Sequence, residues 1–310
     1  MTLIKPSITL RLDPRAAHVT IQSAALGIAK SFYLHIPHDL AVGERAPAIY
    51  LMRGHEREWV NPAEDGTRGG TTAIDVYERL RRTNAIRPMI LVFPGLASDD
   101  NRVPSYLANM RAPELAATYP GVGSGRFADY FFDDLMPYVD ANYPTLGGRA
   151  RAAAGFSLGG AMAVAAAARR PDLFASAGAY DGTFLYAVDR GRRVKARDRV
   201  LHNPMFDAVF GTPRDPQAAA DISPANLILR AEPAAVQSIV WAIGYGPESA
   251  EPWQANYNRG EHLVACLRER GADNALGDGT VPDGLHTWRV ADAFLERTLP
   301  LHDAAMRAAA

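Results

Sequence analysis

Five short apolar runs separate segments of helical periodicity from residue 47 onward. These runs are "PAIYLM", "PMILVF", "RAAAGF", "FASAGAY" and "VQSIVWAIG". They lack the apolar–polar alternation of half-exposed strands, as strands buried on both faces of a parallel sheet do. One intervening segment carries an apolar stripe at i, i+4 spacing, formed by Phe127, Phe131, Leu135 and Val139. Strands that alternate with helices predict an α/β protein whose mostly parallel sheet is covered on both faces.

The beginning of the chain follows a different pattern. Apolar and polar residues alternate in "SITLRL", "HVTIQSA" and "IAKSFYLHIP", which predicts antiparallel N-terminal strands. We expect residues 1–310 to form a single domain, with an irregular insertion at about residues 182–231 near the edge of the sheet that carries the active site. The insertion includes a basic segment, "DRGRRVKARDR", which we interpret as a solvated face.

Composition excludes several classes of partner. The chain has 33 basic and 34 acidic residues, so no net field favours nucleic acid or an anionic membrane. Its single cysteine, Cys266, allows no intrachain disulfide and fits a reducing compartment. The opening residues lack the apolar core of a secretory signal, although a signal removed beforehand would leave the same pattern. We expect a cytoplasmic protein without a cofactor, and the sequence leaves its oligomeric state open.

Ser157 lies in the pattern Gly-x-Ser-x-Gly, between Gly155 and Gly159. This is the pattern of a nucleophile elbow, a sharp turn from a strand into a helix that projects the serine hydroxyl above the sheet. Side chains two positions before and after the serine would collide with such a turn. The bare pattern arises by chance in roughly one protein in ten of this length. Here residues 152–156 are predicted to form the strand and residues 159–169 the helix, which supports the elbow.

A serine hydroxyl becomes a good nucleophile only when a base takes its proton. In this kind of site the partners follow in the chain order serine, acid, histidine. His286 lies in a glycine-containing loop before a predicted amphipathic helix, so we predict it as the base. His302 is expected beyond that helix, near a frayed terminus, and is not chosen.

The acid has three candidates. Glu248 and Glu251 both follow the strand "VQSIVWAIG", and Glu248 is nearer to its end. Glu251 is preferred, because it lies at a more usual distance before the next helix. Asp181, directly after the preceding strand, is the outside candidate. For each of them the competing interpretation is a solvated loop carboxylate.

Two backbone N–H groups are needed to bind the negative charge that develops on the substrate oxygen. We predict Leu158, which follows the serine, and His55, which follows Gly54 after an early strand. The loop that contains His55 is densely charged, and we weigh a substrate-contacting loop equally with a solvated one. The candidate substrate contacts are Arg53, Asp181, Trp253 and Trp288.

Several segments together resemble the esterase D-like branch of the α/β-hydrolases, which includes S-formylglutathione hydrolases, feruloyl and siderophore esterases and mycolyltransferases. The matching segments, in family order, are "VTIQSAALGIAKSFYLHIP", "AIYLMRGHEREW", "FFDDLMPYVDANYP", "AAAGFSLGGAMAVAAAARRPDLFASAGAYDG", "HNPMFDAVFG" and "GLHTW". The resemblance covers roughly residues 19–298. It implies an α/β-hydrolase fold, a nucleophile at Ser157, a histidine at His286 and an oxyanion hole from His55 and Leu158. It does not imply a substrate.

Three features depart from the family pattern. Arg53 replaces the histidine or aspartate that usually precedes the glycine of the oxyanion loop. The segment "GYGPESAE" replaces the usual Gly-x-x-Asp signature of the acid. The segment "GADNALGDGTVPDGLH", before His286, lacks the usual apolar strand, so the last strand is expected to be short or absent.

The sequence leaves three functions open. The first is a serine hydrolase that cleaves a small-molecule carboxylic ester or thioester through an acyl-enzyme. The second is an acyltransferase that uses the same groups to pass the acyl group to an alcohol or amine. The third is a hydrolase fold kept as a binding protein without catalysis. Because the histidines are scattered, without the spacing of metal ligands, no metal site is expected.

Overall fold

A seven-stranded sheet organises the protein, for which the computed structural model describes residues 12–184, 203–251 and 253–310. The strand order is β1-β2-β4-β3-β5-β6-β7. The strands are β1 (Ala17–Ser23), β2 (Ile28–His35), β3 (Ala48–Met52), β4 (Ile90–Pro94), β5 (Arg151–Phe156), β6 (Ser176–Tyr180) and β7 (Val240–Gly244). β2 pairs antiparallel with β1 and with β4, whereas the remaining pairs are parallel. The prediction of a mostly parallel sheet with antiparallel N-terminal strands is confirmed, although most of "SITLRL" lies outside the described residues.

Helices cover both faces of this sheet. They are α1 (Ala73–Arg82), α2 (Phe127–Asp129), α3 (Met136–Asn142), α4 (Leu158–Arg169), α5 (Asp207–Phe210), α6 (Pro216–Ile222), α7 (Pro224–Arg230), α8 (Pro233–Gln237), α9 (Tyr257–Glu269) and α10 (Trp288–Ala308). A π-helical segment, Tyr130–Leu135, joins α2 to α3. The predicted stripe at Phe127, Phe131, Leu135 and Val139 is fully buried. None of the helices in the described part of the chain is long and apolar enough to cross a membrane.

Alternate side chains of the central strands enter two separate hydrophobic cores. On β3, Tyr50 and Met52 belong to the core that includes α4 and α9. Ile49 and Leu51, which point to the opposite face, belong to the core that includes α1 and α10. Because both faces are buried, each strand needs apolar residues at every position, which explains the continuous apolar runs of the sequence.

The expected insertion is described only in part. Its residues 203–231 contain α5, α6 and α7, and Phe206 and Phe210 pack against Tyr106 with ring centroids 5.5 and 6.1 Å away. The basic segment "DRGRRVKARDR" lies outside the described residues. The short helices agree with the irregular sequence of this region.

In place of a strand, the segment before His286 makes two isolated bridges, from Asn274 to Trp241 of β7 and from Thr280 to Tyr245, the residue after β7. The Asn274 side chain takes over part of the missing pairing. Its Oδ1 accepts from the Ile243 N–H at 2.8 Å, and its Nδ2 donates to the Ile243 carbonyl at 2.9 Å. A side-chain amide has the same donor and acceptor as a peptide group, so it satisfies the β7 backbone without an apolar strand.

His302 lies within α10 and is fully buried, so the expectation of a frayed terminus is wrong. Its Nδ1 is 2.7 Å from the Ser176 Oγ, and that hydroxyl donates to the Val240 carbonyl. Nδ1 therefore carries a proton and donates to Ser176, while Nε2 has no hydrogen-bond partner among the described residues. Burial lowers the pKa of His302 to about 4.

The buried His302 predicts a loss of stability in acid. Its pKa falls from 6.5 in the unfolded chain to about 4 in the folded protein, so the unfolded chain binds the proton more tightly. The free energy of unfolding should therefore fall by about 3 kcal/mol as the pH drops through this range, beyond any change at other groups. Urea unfolding of wild type and His302→Gln at several pH values measures how much His302 contributes to the pH dependence of the free energy of unfolding. Parallel pH dependence in the two proteins would contradict it.

Candidate active site

Ser157 lies at the junction of β5 and α4 in a backbone conformation that is rare for a residue with a side chain. Its φ is 57° and its ψ is −120°. A Cβ on Gly159 would lie 1.8 Å from the Met52 carbonyl oxygen, and a Cβ on Gly155 would lie 2.3 Å from the Gly159 backbone. Both positions therefore require glycine for steric reasons. The strand, the strained turn and the helix are the geometry of a nucleophile elbow.

His286 lies beside this elbow. Its ring packs against Phe156, the residue before Ser157, with ring centroids 4.7 Å apart. Its backbone N–H donates to the Gln254 carbonyl at 2.8 Å, and the Tyr180 hydroxyl donates to the carbonyl of the preceding residue, Leu285. The loop that carries His286 is thus fixed on both sides of the histidine.

Asp181 holds the imidazole of His286. Its Oδ2 lies 2.5 Å from Nδ1 of His286, and its side chain is fully buried. The other oxygen, Oδ1, accepts from the backbone N–H groups of Gly246 and Asn256 at 3.1 and 2.8 Å. The Asn256 side chain donates to both the carboxylate and the backbone carbonyl of Asp181. With Nδ1 donating to the carboxylate, Nε2 is the nitrogen of His286 that can take a proton.

The structure therefore corrects the preference for Glu251 as the partner of the histidine. Glu251 accepts hydrogen bonds from the backbone N–H and the side chain of Asn258, at the beginning of α9. Glu248 is exposed in the 3₁₀ segment Glu248–Ala250. Asp181 was also a candidate substrate contact, but its complete burial excludes direct contact. The backbone N–H groups that bind Asp181 belong to Gly246 and Asn256, which are 65 and 75 residues away in sequence. No local sequence pattern therefore indicated that Asp181 is the partner of His286.

The two predicted oxyanion donors differ in their surroundings. Leu158 is the first residue of α4, so its N–H belongs to the amides that have no acceptor within the helix. The N–H of His55 donates to Oε2 of Glu58 at 2.7 Å. The amide of His55 is thus engaged by a carboxylate, a contact that no sequence pattern indicates.

The charged loop around His55 is not solvated. His55, Glu56 and Glu58 are each less than 9% exposed. The His55 ring is held at both nitrogens, with Nδ1 3.1 Å from Glu56 and Nε2 2.9 Å from the Asp99 carbonyl. The interpretation of this loop as a solvated surface is wrong, because His55, Glu56 and Glu58 are buried.

The remaining candidate substrate contacts lie in different environments. The Arg53 guanidinium lies over the rings of Phe156 and Trp288, 5.3 and 5.7 Å from their centroids. Trp288 itself is 4% exposed and packs edge-on against Trp59. Trp253 is 69% exposed. Arg53 is therefore next to the serine elbow, Trp288 supports it from the core, and Trp253 is open to solvent.

Arg68 joins the loop that follows β3 to α10, the helix that follows His286. It is buried and its guanidinium has five N–H donors, which make five hydrogen bonds. Two go to the carboxylate of Asp292 in α10, at 2.9 and 3.0 Å. The other three go to the backbone carbonyls of Glu58, Trp59 and Asn61. One side chain thus fixes the loop relative to α10, a connection that the sequence did not reveal.

We expect Arg68→Met to destabilise the protein by about 3–5 kcal/mol, because it leaves the Asp292 charge buried without its partner. Arg79→Met is the matched control, since Arg79 pairs with Glu296 between α1 and α10 but both side chains are about 40% exposed. That change should cost at most about 1 kcal/mol. Guanidinium unfolding measures the loss of stability in both variants. Equal losses in the two variants would contradict a structural role specific to Arg68.

Comparison with protein families gives one match over most of the chain. The family model described as "Putative esterase" matches residues 23–298. Two curated proteins from Mycobacterium tuberculosis, Esterase MT1326 of strain CDC 1551 / Oshkosh and Esterase Rv1288 of strain H37Rv, are each 26% identical over 283 residues. The match covers 88% of this chain and 55% of each relative. The chain thus spans about half the length of these relatives.

Solved structures agree on the fold. A ferulic acid esterase superposes with a TM-score of 0.68 at 18% identity, covering 95% of this chain and 99% of the other. FphF, a fluorophosphonate-binding serine hydrolase of Staphylococcus aureus, superposes with a TM-score of 0.64 at 16% identity, covering 93% and 98%. At these identities the likeness concerns the fold, and the predicted α/β-hydrolase architecture is confirmed.

Proposed function

The chain belongs to this esterase family, whose model matches residues 23–298, and from that premise we propose that it hydrolyses small-molecule carboxylic esters or thioesters through an acyl-enzyme on Ser157. The observation that carries the proposal is the position of His286. Its Nδ1 is held by the buried Asp181 while its ring packs on the residue before Ser157. In the proposed site Ser157 is the nucleophile, His286 the general base and Asp181 the residue that orients it.

In the first half of the reaction, the Ser157 Oγ attacks the carbonyl carbon of the ester while its proton moves to Nε2 of His286. Negative charge develops on the carbonyl oxygen, and the donors proposed to stabilise it are the N–H groups of Leu158 and His55. The bond from carbon to the leaving oxygen or sulfur then breaks. His286 returns the proton to that atom, an alcohol or thiol departs, and the acyl group remains on Ser157.

In the second half, water attacks the acyl carbon and gives one proton to His286. The bond between the acyl carbon and Oγ breaks, and His286 returns the proton to Ser157. A carboxylic acid leaves and the starting state is restored. Asp181 keeps the proton of His286 on Nδ1 in both halves, and its charge stabilises the imidazolium that forms in between.

The direct test of this function is turnover of simple esters by the wild-type protein. We expect p-nitrophenyl esters of short and medium acyl chains to release p-nitrophenol and carboxylic acid in equal amounts over many turnovers. A matching thioester should release thiol and carboxylic acid in the same ratio. The same protein unfolded in urea provides the background rate. Failure to exceed that background with every ester and thioester in the series would contradict the proposal.

A further inference from the structure

Glu58 occupies one of the two amides on which the proposed oxyanion hole depends. Its Oε2 accepts the N–H of His55 at 2.7 Å, and the residue is only 3% exposed. An ester carbonyl oxygen would need the same N–H within about 3 Å as charge develops on it. One buried amide cannot donate a good hydrogen bond to both oxygens at once.

A carboxylate at this amide also opposes the reaction electrostatically. The transition state places negative charge on the carbonyl oxygen, and a second negative group at the same donor would repel it in a site shielded from water. The His55 amide can therefore contribute to catalysis only when the Glu58 carboxylate has moved away from it.

Arg53 is positioned to receive the displaced carboxylate. Its Nε lies 3.5 Å from Oε1 of Glu58 and is buried without a hydrogen-bond partner among the described residues. Its guanidinium is held over Phe156 and Trp288. A turn of the Glu58 carboxylate toward Arg53 would convert this long contact into a charge-assisted hydrogen bond. The charge of Glu58 would stay paired while the His55 amide became free.

We propose that Glu58 is a displaceable blocker of the oxyanion hole and that Arg53 is the positioning residue that holds it in the open state. This inference rests on the proposed ester hydrolysis. When substrate binds, its carbonyl oxygen takes the N–H of His55 and Glu58 turns to Arg53. Arg53 thus acts on the reaction through Glu58 and needs no contact with the substrate.

The experiment compares Arg53→Met, Glu58→Ala and the double variant in the turnover of p-nitrophenyl acetate. Arg53→Met should lower kcat/KM at least about tenfold, because Glu58 then has no receiver and remains on the amide. Removing the carboxylate as well should reverse this loss and bring the double variant to within about threefold of Glu58→Ala. Residues in contact also couple in stability, so urea unfolding of the three variants is measured alongside. A merely structural pair would show the reversal in the free energy of unfolding, whereas the proposed role predicts it in kcat/KM of the fully folded variants.

A second readout uses phenylboronic acid, which forms an anionic adduct with an active-site serine. Its inhibition constant should be about tenfold lower for Glu58→Ala than for wild type, because no carboxylate must be displaced. Glu58→Gln keeps the shape and hydrogen bond of the side chain but removes its charge, so it should lie between the two. It also provides the test if Glu58→Ala does not fold. Glu64→Gln, a change in the same region that keeps an acceptor for Asn61, should stay within about twofold of wild type.

The inference is overturned if the folded Glu58 variants hydrolyse the ester more slowly and bind the boronic acid more weakly than wild type. It is also overturned if the double variant is slower than Arg53→Met. Both comparisons are made relative to an active wild type. Absence of wild-type turnover would instead contradict the proposed function itself, so the two failures are distinguishable.

Discussion

Replacing Ser157 by alanine should lower kcat for p-nitrophenyl acetate by roughly five orders of magnitude. The substitution removes the Oγ proposed to form the acyl-enzyme, while the elbow backbone and the Leu158 and His55 amides stay in place. Because the serine is buried with only 6% of its surface exposed and alanine is smaller, the fold should tolerate the change. The residual rate would reflect substrate binding and oxyanion stabilisation without a nucleophile.

Steady-state kinetics on the purified variant measures this loss, with circular dichroism as the check of folding. Ser238→Ala is the matched control, because Ser238 is exposed and its hydroxyl donates only to the Ala235 carbonyl within its own turn. The control should retain kcat within about twofold. A Ser157→Ala variant that kept more than about a tenth of the activity would exclude Ser157 as the nucleophile.

Asp181→Asn should lower kcat by about four orders of magnitude, with little change in the fold. An amide at this position can present an N–H to Nδ1 of His286, which would favour the tautomer with its proton on Nε2. That nitrogen could then no longer accept the proton of Ser157. The Gly246 and Asn256 amides that bind Oδ1 could still donate to the new side-chain oxygen, so stability should suffer much less than activity.

Glu251→Gln is the comparison that separates the two carboxylates. Glu251 accepts the Asn258 N–H on Oε1 and the Asn258 side-chain amide on Oε2, at the beginning of α9. Glutamine keeps one of these two acceptors, and the change affects only the first residues of that helix. The kcat of this variant should therefore stay within about threefold of wild type. The opposite outcome, a large loss in Glu251→Gln with an active Asp181→Asn, would reassign the acid to Glu251.

The sequence predicted most of the sheet, because burial on both faces leaves continuous apolar runs that are visible without a structure. It also located Ser157, since the steric demands of the elbow require glycine at positions 155 and 159. His286 could be selected from its chain order and the helix that follows it.

The carboxylate partner of His286 could not be selected in the same way. Three carboxylates follow the ends of β6 and β7, and chain order does not distinguish among them. The choice depends on donors from distant segments, Gly246 and Asn256, which converge on Asp181 only after folding. Glu251 lies at a suitable distance before α9 because it stabilises the first residues of that helix. A local structural role and a catalytic role thus leave the same sequence pattern.

Buried polar side chains were the other feature that the sequence did not reveal. Arg68, Glu58 and His302 are polar residues that a sequence pattern places on the surface, since charged side chains are rarely buried. Arg68 and His302 have partners from distant parts of the chain, whereas Glu58 is held within its own loop by the His55 N–H and Arg53. Arg68 depends on Asp292, which is 224 positions away, and His302 depends on Ser176, which is 126 positions away.

The central claim is that Ser157 is an activated nucleophile, and covalent labelling with a fluorophosphonate probe tests it most directly. The folded wild-type protein should take up one probe per chain, and mass spectrometry of the digested protein should find it on Ser157. Ser157→Ala should remain unlabelled under the same conditions. Labelling of wild type that is no faster than that of Ser157→Ala, or a label on another residue, would contradict the account.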